Sequence, residues 1–378
     1  MIPRIIEHKL VNQIDHKKAI LIFGPRQVGK TTLVKDLMGK LGQAFSYFNG
    51  DDIITRNLWR KDQVSALIQS FGDKKMIILD EAQMVEEVGS ICKQIIDAEL
   101  GIQLILTGSS ALNMANLTQE PLTGRKWEYF LYPISCGEII EYSGTPELLR
   151  RLSQYLVYGC YPEVVTNLGN AQQILNNLAS SYLYKDVLAL TGVKKPLLLE
   201  KILRALAWQV GSEVSINELS QVVGADAKTV DGYIHLLEQV YVVYRLGAYS
   251  GNLRNEISRK KKIYFYDNGI RNALIGNYSL PDNRNDIGGL WENYLITERK
   301  KLLAYNGFYG HTYFWRSKAQ AEVDYIEEID GKLYAYEFKW NPNSRSKFPA
   351  SFIEAYKPAG TDVIHRDNFW QWLKDYPY

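Results

Sequence analysis

Residues 19–38 read AILIFGPRQVGKTTLVKDLM. An apolar, strand-like run (AILIF) enters G-x-x-x-x-G-K-[ST], with Gly24, Gly29, Lys30 and Thr31 in register, and a helix-like run leaves it. Glycines let the backbone wrap an anion, and the amide hydrogens of the helix start point at it. Lys30 is placed to reach the outer phosphates of a nucleoside triphosphate. The Thr31 hydroxyl is placed to ligate Mg²⁺, with Thr32 next along the loop. The bland alternative is a glycine-containing strand–helix turn in a domain with no nucleotide.

A second run, MIILDE at residues 76–81, puts Asp80 and Glu81 at the tip of an apolar strand. Asp80 is expected to hold Mg²⁺ directly or through water, and Glu81 to polarise the attacking water. The competing reading is an acidic strand end entering a solvent-facing helix. Short apolar runs at 18–23, 44–48, 76–80 and 103–107 alternate with helix-like stretches, one of them over 30–39. That cadence predicts a mostly parallel α/β sheet with ligands at the carboxyl ends of its strands. The strand at 103–107 ends in GSS. Thr107, Ser109 and Ser110 there are candidates either to read a γ-phosphate or to cap a helix. Arg125, after a loop, is a candidate to neutralise the transferring phosphate in cis or from a neighbouring copy. Arg26, inside the loop, is a second candidate, and the residues alone do not rank them.

The chain has 378 residues, a net charge of +2, 46% hydrophobic and 23% charged residues. Those values fit a protein of two or three ordinary globular domains and name no partner. Three widely spaced cysteines and five scattered histidines suggest neither a disulfide scaffold nor a zinc site. No apolar run reaches membrane-spanning length and the N-terminus does not read as a signal peptide. A cytoplasmic protein without a membrane partner is expected.

GPRQVGKTTL, LDEAQ, LTGSS, LTGR and LYPISCGEI, in that order and spacing, resemble a large prokaryotic family of AAA-type ATPases with a C-terminal domain of unknown function. The resemblance implies that Arg125 and Glu138 belong to the ATPase core or its edge. It also implies that the base is adenine, which the loop itself does not read. It extends through YGCYPEVV, where Cys160 stands at a position usually held by glycine, and through YLYKDV, which ends at Val187.

Residues 145–210 read as helical, a lid or linker in which only Asp186 invites a chemical role. Ser215 and Glu218 make a capping-box pattern. A turn and a second helix follow, with Val230, Ile234 and Leu237 on one face. Helix, turn, helix and strands predict a helix-turn-helix with a wing. Its second helix is expected to expose Lys228, Thr229, Asp231, Tyr233 and His235, a face that is not strongly basic. The next segment carries Arg254, Arg259, Lys260, Lys261 and Lys262, a cluster that can track phosphates of DNA or can simply be solvated. The resemblance includes a K-x-Y-F-x-D-x-G-x-R signature, here Lys262 to Arg271.

Residues 278–287 read as a linker. Beyond them lie a helix over GGLWENYLITERKKLLAY, a strand at HTYFWR, and strands at AEVDYIEEI and KLYAYEFKW joined by an Asp330–Gly331 turn. A helix near 348–357 and a strand near 362–365 follow. Asp324 ends the run AEVD, and period two puts Glu337 and Lys339 on one face of the next strand. With Glu292 these carboxylates could hold Mg²⁺ beside a lysine. The pattern resembles the restriction-endonuclease-like fold, although Val323 stands where a proline usually precedes the aspartate.

The expected organisation is therefore a P-loop ATPase domain over 1–142, a helical linker and winged-helix-like region over 143–277, and a restriction-endonuclease-like α/β domain over 285–378. The expected cofactors are ATP and Mg²⁺. The function is expected to be ATP hydrolysis coupled to a DNA-binding, DNA-cleaving module. The alternative is an ATP-dependent switch or scaffold with a protein partner. An arginine supplied in trans implies a homo-oligomer.

Overall fold

A computed structural model describes residues 2–14, 17–109, 122–182, 195–251, 261–344, 346–374 and 376. Ser110, Asp186, Arg254, Arg259 and Lys260 lie outside the described residues. The chain divides into two units: Met1–Pro133 with Gln239–Tyr241, and Ile134–Glu238 with Val242–Tyr378.

The first unit is built on five parallel strands: β1 (Ala19–Phe23), β2 (Phe45–Asn49), β3 (Met76–Asp80), β4 (Gln103–Gly108) and β5 (Lys126–Phe130). Their spatial order is β2-β3-β4-β1-β5. Every residue of β3 and β4 is buried, which is why both read as unbroken apolar runs: in a parallel sheet covered on both faces there is no solvent side to mark. One face packs on a cluster including Leu21, Leu67, Ile77, Ile91, Ile95 and Leu104. β4 lies between β1 and β3, so its tip stands between the phosphate loop and the Asp80 strand. The edge strand β5 was not anticipated. Its sequence, KWEYF, mixes charges and aromatics and holds no buried residue, so it lacks the apolar signature of its neighbours.

The second unit holds a seven-stranded mixed sheet, ordered β12-β11-β10-β9-β7-β8-β6. Its strands are β6 (Glu213–Val214), β7 (Val243–Ala248), β8 (Lys261–Phe265), β9 (His311–Arg316), β10 (Glu322–Ile329), β11 (Lys332–Lys339) and β12 (Gly360–His365). β9, β10 and β11 form an antiparallel meander, and β12 joins in parallel after the helix Ala350–Tyr356. Asp330 (φ 50°) and Gly331 (φ 71°) turn the β10–β11 hairpin, as the DG dipeptide predicts. Residues 143–277 and 285–378 are expected as separate regions. In the fold they share this sheet, because β7 pairs in parallel with β9, Gly247 opposite Tyr313.

The helices Ile216–Val223 and Ala227–Gln239 follow one another ahead of β7 and β8, and Ser215 caps the first through the Glu218 amide. The 20-residue helix Ile287–Asn306 is buried around much of its girth, with Trp291, Arg299 and Lys301 inside the unit. Among the described residues no helix is long and apolar enough to cross a membrane.

Candidate functional site

The phosphate loop is shaped by its backbone. Gly24 has φ 147° and Gly29 φ 94°, values an L side chain rarely adopts. A Cβ at Gly24 would overlap the Leu131 carbonyl oxygen. Gly29 caps the helix Lys30–Leu41, which ends at Gly42 in the left-handed conformation. Lys30 is buried and folds over the loop, its Nζ donating to Gly24 O at 2.9 Å and Pro25 O at 2.8 Å. Thr32 is exposed on the first helical turn, and Arg26 is partly exposed within the loop.

Three hydroxyl groups surround the buried Asp80. Thr31 Oγ1 and Tyr47 OH both donate to its Oδ2, at 2.6 and 2.7 Å, and Thr107 Oγ1 donates to Oδ1. Burial alone would raise the Asp80 carboxyl. The hydrogen bonds from Thr107, Thr31 and Tyr47, with the charge of Lys30, overcome that and hold it below the usual carboxylate range. The same arrangement, burial first, pushes the Tyr47 phenol up, so it stays a donor. Tyr47 was not singled out in the sequence. The available signal was its place in the middle of a strand neighbouring that of Asp80.

Glu81 turns away from the strand with φ 48° and ψ 46°. Its carboxylate accepts from Gln83 Nε2 and from Ser109 Oγ at 3.2 Å, and its amide donates to Thr107 Oγ1 at 3.3 Å. The polar strand tip of β4 thus touches both acids. Gly50 lies against this corner: its amide donates to Asp80 O at 2.8 Å, and a Cβ there would overlap the Glu81 carbonyl oxygen. Arg4 was also missed. Its buried guanidinium donates to Val28 O in the loop at 2.8 Å and to Tyr132 O at 2.5 Å.

Arg125 requires a correction. Its carbonyl accepts from the Ala19 amide, so it stands at the amino end of β1, opposite the phosphate loop. A five-residue strand at roughly 3.3 Å per residue separates the two ends. Its side chain pairs with Asp97 at 2.6 Å. A role in cis does not fit this placement. Glu138 lies five residues past the end of the first unit, at the edge where it was expected. It lies in the second, where it is buried and completes a capping box with Ser135 at the head of the helix Cys136–Ser143.

In the second unit Asp324, Glu337 and Lys339 come together, and Glu292 lies near enough to feel the Asp324 charge. Asp324 sits where the β9–β10 register slips by one residue between Val323 and Ile326, a bulge that re-aims its side chain. Its Oδ2 accepts from the Phe338 amide at 2.8 Å and lies 3.9 Å from Lys339 Nζ. Lys339 is 3.0 Å from Glu337 Oε2, which also accepts from Ser346 Oγ at 3.1 Å. Glu292 accepts from Tyr264 OH at 2.6 Å and pairs with Lys262 at 2.7 Å. Burial first, then the mutual repulsion of Asp324 and Glu337, pushes Glu337 up; burial is also the largest cause of the rise at Asp324.

Lys262 corrects a second expectation. It is 1% exposed and cannot track DNA phosphates. Instead its ammonium stands between Glu292 and Glu322, at 2.7 and 2.5 Å. The residues therefore do not fit a resident Mg²⁺, since Lys262 is already paired with Glu292, and Lys339 with Glu337 and Asp324. Among the described residues no group of three or more His, Cys, Asp or Glu side chains is placed to hold a metal ion. Tyr233, expected on the exposed face of the second helix of the pair, is buried, and its hydroxyl accepts from the Lys195 amide at 3.1 Å.

The signature residues around Asp267 hold the fold together. The Asp267 carboxylate accepts from the amides of Cys160, Gly269 and Ile270, so it ties the YGCYPEVV segment to the helix Asn268–Ile275. Side chains at Gly159 or Gly269 would overlap Asp267 or the Tyr158 carbonyl. Gly159 supplies the positive φ (71°), so Cys160 does not disturb the turn.

Residues 16–140 match the family model described as an AAA domain. This part of the chain is thus similar to AAA-type domains. Residues 149–280 and 287–376 match two models described as domains of unknown function (DUF8612 and DUF4143). An uncharacterized protein of Mycobacterium tuberculosis is 26% identical over 340 residues, covering 88% of this chain and 72% of its own. One from Methanocaldococcus jannaschii is 23% identical over 303 residues, covering 69% and 63%. Among solved structures, the Aeropyrum pernix ORC1 protein in complex with DNA aligns with a TM-score of 0.36 at 14% identity, covering 69% of this chain and 87% of that one. The Thermotoga maritima RuvB Holliday junction branch migration motor aligns with a TM-score of 0.34 at 19% identity, covering 63% and 84%. At these values the likeness carries no functional argument. The AAA-type assignment rests on the domain match and on the loop, Asp80 and Glu81 described above.

Proposed function

We propose that this chain is a Mg²⁺-dependent ATPase whose nucleotide state governs what its second unit binds. The observation that carries the reading is the Asp80 corner: a carboxylate held ionised by rotatable hydroxyls beside a buried, loop-clamping lysine. Those hydroxyl and carboxylate oxygens are the hard donors Mg²⁺ takes, together with phosphate oxygens and water. When bound, Mg²⁺ would neutralise charge on the outer phosphates. Thr31 and Asp80 would hold it, Lys30 would turn from the loop carbonyls to the β- and γ-phosphates, and the helix-start amides would line the anion. Glu81, released from Gln83 and Ser109, would accept the proton of the attacking water. Arg125 would act only on the site of a neighbouring copy, in a homo-oligomer. Arg26 is the candidate within the loop itself.

For the second unit the helix pair ahead of β7 and β8 supports a winged-helix-like, DNA-directed reading. A protein partner is favoured by a different observation. Leu197, Trp208 and Val222 are 75%, 62% and 71% exposed on helices of this unit. In addition, Asp231 on the second helix of the pair is joined to Arg245 at 2.7 Å, which leaves that face without a basic stripe. ATP hydrolysis measured with and without branched, single-stranded and duplex DNA separates the two. Stimulation by DNA supports the first, and turnover and binding indifferent to every DNA supports the second. No ATP turnover under any condition would reject the ATPase reading itself.

A further inference from the structure

Lys262 arises from β8, in a run, RKKKIYFYD, that reads as a solvated basic patch. Strand alternation sends Lys262 and Tyr264 to one face, and both reach the same Glu292 oxygen, at 2.7 and 2.6 Å. The ammonium also contacts Glu322 at 2.5 Å and lies 5.3 Å from the centroid of the Phe314 ring. Glu322 is shared further with Arg316, at 3.7 Å. Across the cleft, Lys339 takes Glu337 and faces Asp324, and Asp324 accepts a backbone amide besides. Burial opposes the charge on Lys262. The charges of Glu292, Glu322 and Asp324 outweigh that and keep it protonated.

A divalent ion needs several oxygen lone pairs directed at one point, at about 2.0 to 2.6 Å. Here each carboxylate spends oxygens on an ammonium, a hydroxyl or an amide, and a second cation would stand beside a buried positive charge with little water to screen it. We propose that Lys262 is the resident cation of this cleft: the Glu292–Asp324–Glu337–Lys339 group binds no divalent ion and cleaves no phosphodiester while Lys262 is in place. The cleft works as an ion-paired joint that fastens β8 to the C-terminal strands. This inference concerns the second unit only and stands or falls apart from the ATPase reading.

The test counts Mn²⁺ bound per chain by electron paramagnetic resonance, on the full-length protein without nucleotide, in wild type and in Glu337→Gln. Equal counts are expected, together with no Mn²⁺-dependent cutting of duplex or branched DNA by the wild type. In Lys262→Gln, shown folded by circular dichroism, one additional ion is expected, and it should vanish when Glu337→Gln is added. Lys262→Arg, which keeps the charge, should match the wild type. A wild-type ion lost on Glu337→Gln, or wild-type cleavage lost on that change, would overturn the proposal. So would a folded Lys262→Gln that gains nothing. If Lys262→Gln does not fold, the wild-type comparison with Glu337→Gln still decides.

Discussion

The chain carries two clusters of acids and lysine, one in each unit, and they are built oppositely. Around Asp80 the donors are hydroxyls of Thr31, Tyr47 and Thr107, groups that can rotate and present lone pairs instead of protons. The lysine there, Lys30, donates to two backbone carbonyls of the loop. Around Asp324 and Glu292 the partners include Lys262 and Lys339, which have no lone pair to offer once charged, beside the Tyr264 hydroxyl and the Phe338 amide. The Asp80 carboxyl is held low and ready for a cation, whereas burial leads the upward shifts of Asp324, Glu337 and Glu292. A list of acids and spacings is the same kind of pattern in both places. What differs between them is the pair of ammonium groups set directly against the acids of the second.

The contrast is broken most forcefully by exchanging what each site loses. Lys30→Ala should lower ATP turnover roughly a hundredfold or more, the scale of removing one preorganised donor from a transferring anion. Glu337→Gln should leave turnover at the wild-type level. A hydrolysis assay on both variants checks this, and a comparable loss in Glu337→Gln would erase the distinction. Next comes Gly50→Ala. Its added Cβ meets the Glu81 carbonyl oxygen and nears Met84, so it should displace Glu81 and cost about tenfold to a hundredfold in turnover. Nucleotide affinity, measured by fluorescence titration, should change little.

A third test concerns the scaffold of the second unit. Burial pushes the Asp267 carboxyl up from 3.8 to about 6, against the three backbone amides that favour its charge. A carboxyl raised in the folded state binds more protons there than in the unfolded chain between those two values. Its contribution to stability is therefore full below 3.8 and is lost as pH rises to about 6. Asp267→Asn should melt lower overall, because an amide cannot accept from all three donors, and its melting temperature should vary less than that of the wild type across that window. A difference between the two that is constant with pH would refute the assignment.

The smallest effect is expected from Arg125→Ala. Its pair with Asp97 is about two-fifths exposed on each side, so stability should change by under about 1 kcal/mol. Turnover should fall only at protein concentrations where copies associate. A loss that is independent of concentration would return Arg125 to its own site.

The sequence made the first unit legible because its elements are local and its signals redundant. Strands expected at 18–23, 44–48, 76–80 and 103–107 occur at Ala19–Phe23, Phe45–Asn49, Met76–Asp80 and Gln103–Gly108. The loop motif names its own flanking strand and helix. What stayed hidden there depends on tertiary approach: Tyr47 comes from a neighbouring strand and Arg4 from the helix-proximal N-terminus. In the second unit the meander and its DG turn were legible by alternation and turn chemistry. The β7–β9 pairing was not, since it joins residues more than sixty positions apart with no motif to mark it. Lys262 was misread for a related reason. In a run of basic residues, composition suggests solvent, and only the strand's alternation toward a distant Glu292 reveals a buried ion pair.

The most direct measurement of the central claim is Mg²⁺-dependent ATP turnover together with retained nucleotide in wild type and Glu81→Gln. The account predicts turnover in the wild type. Glu81→Gln should retain bound ATP while its turnover falls by about two to four orders of magnitude, the range for removing a general base. Turnover by Glu81→Gln at the wild-type rate would contradict it.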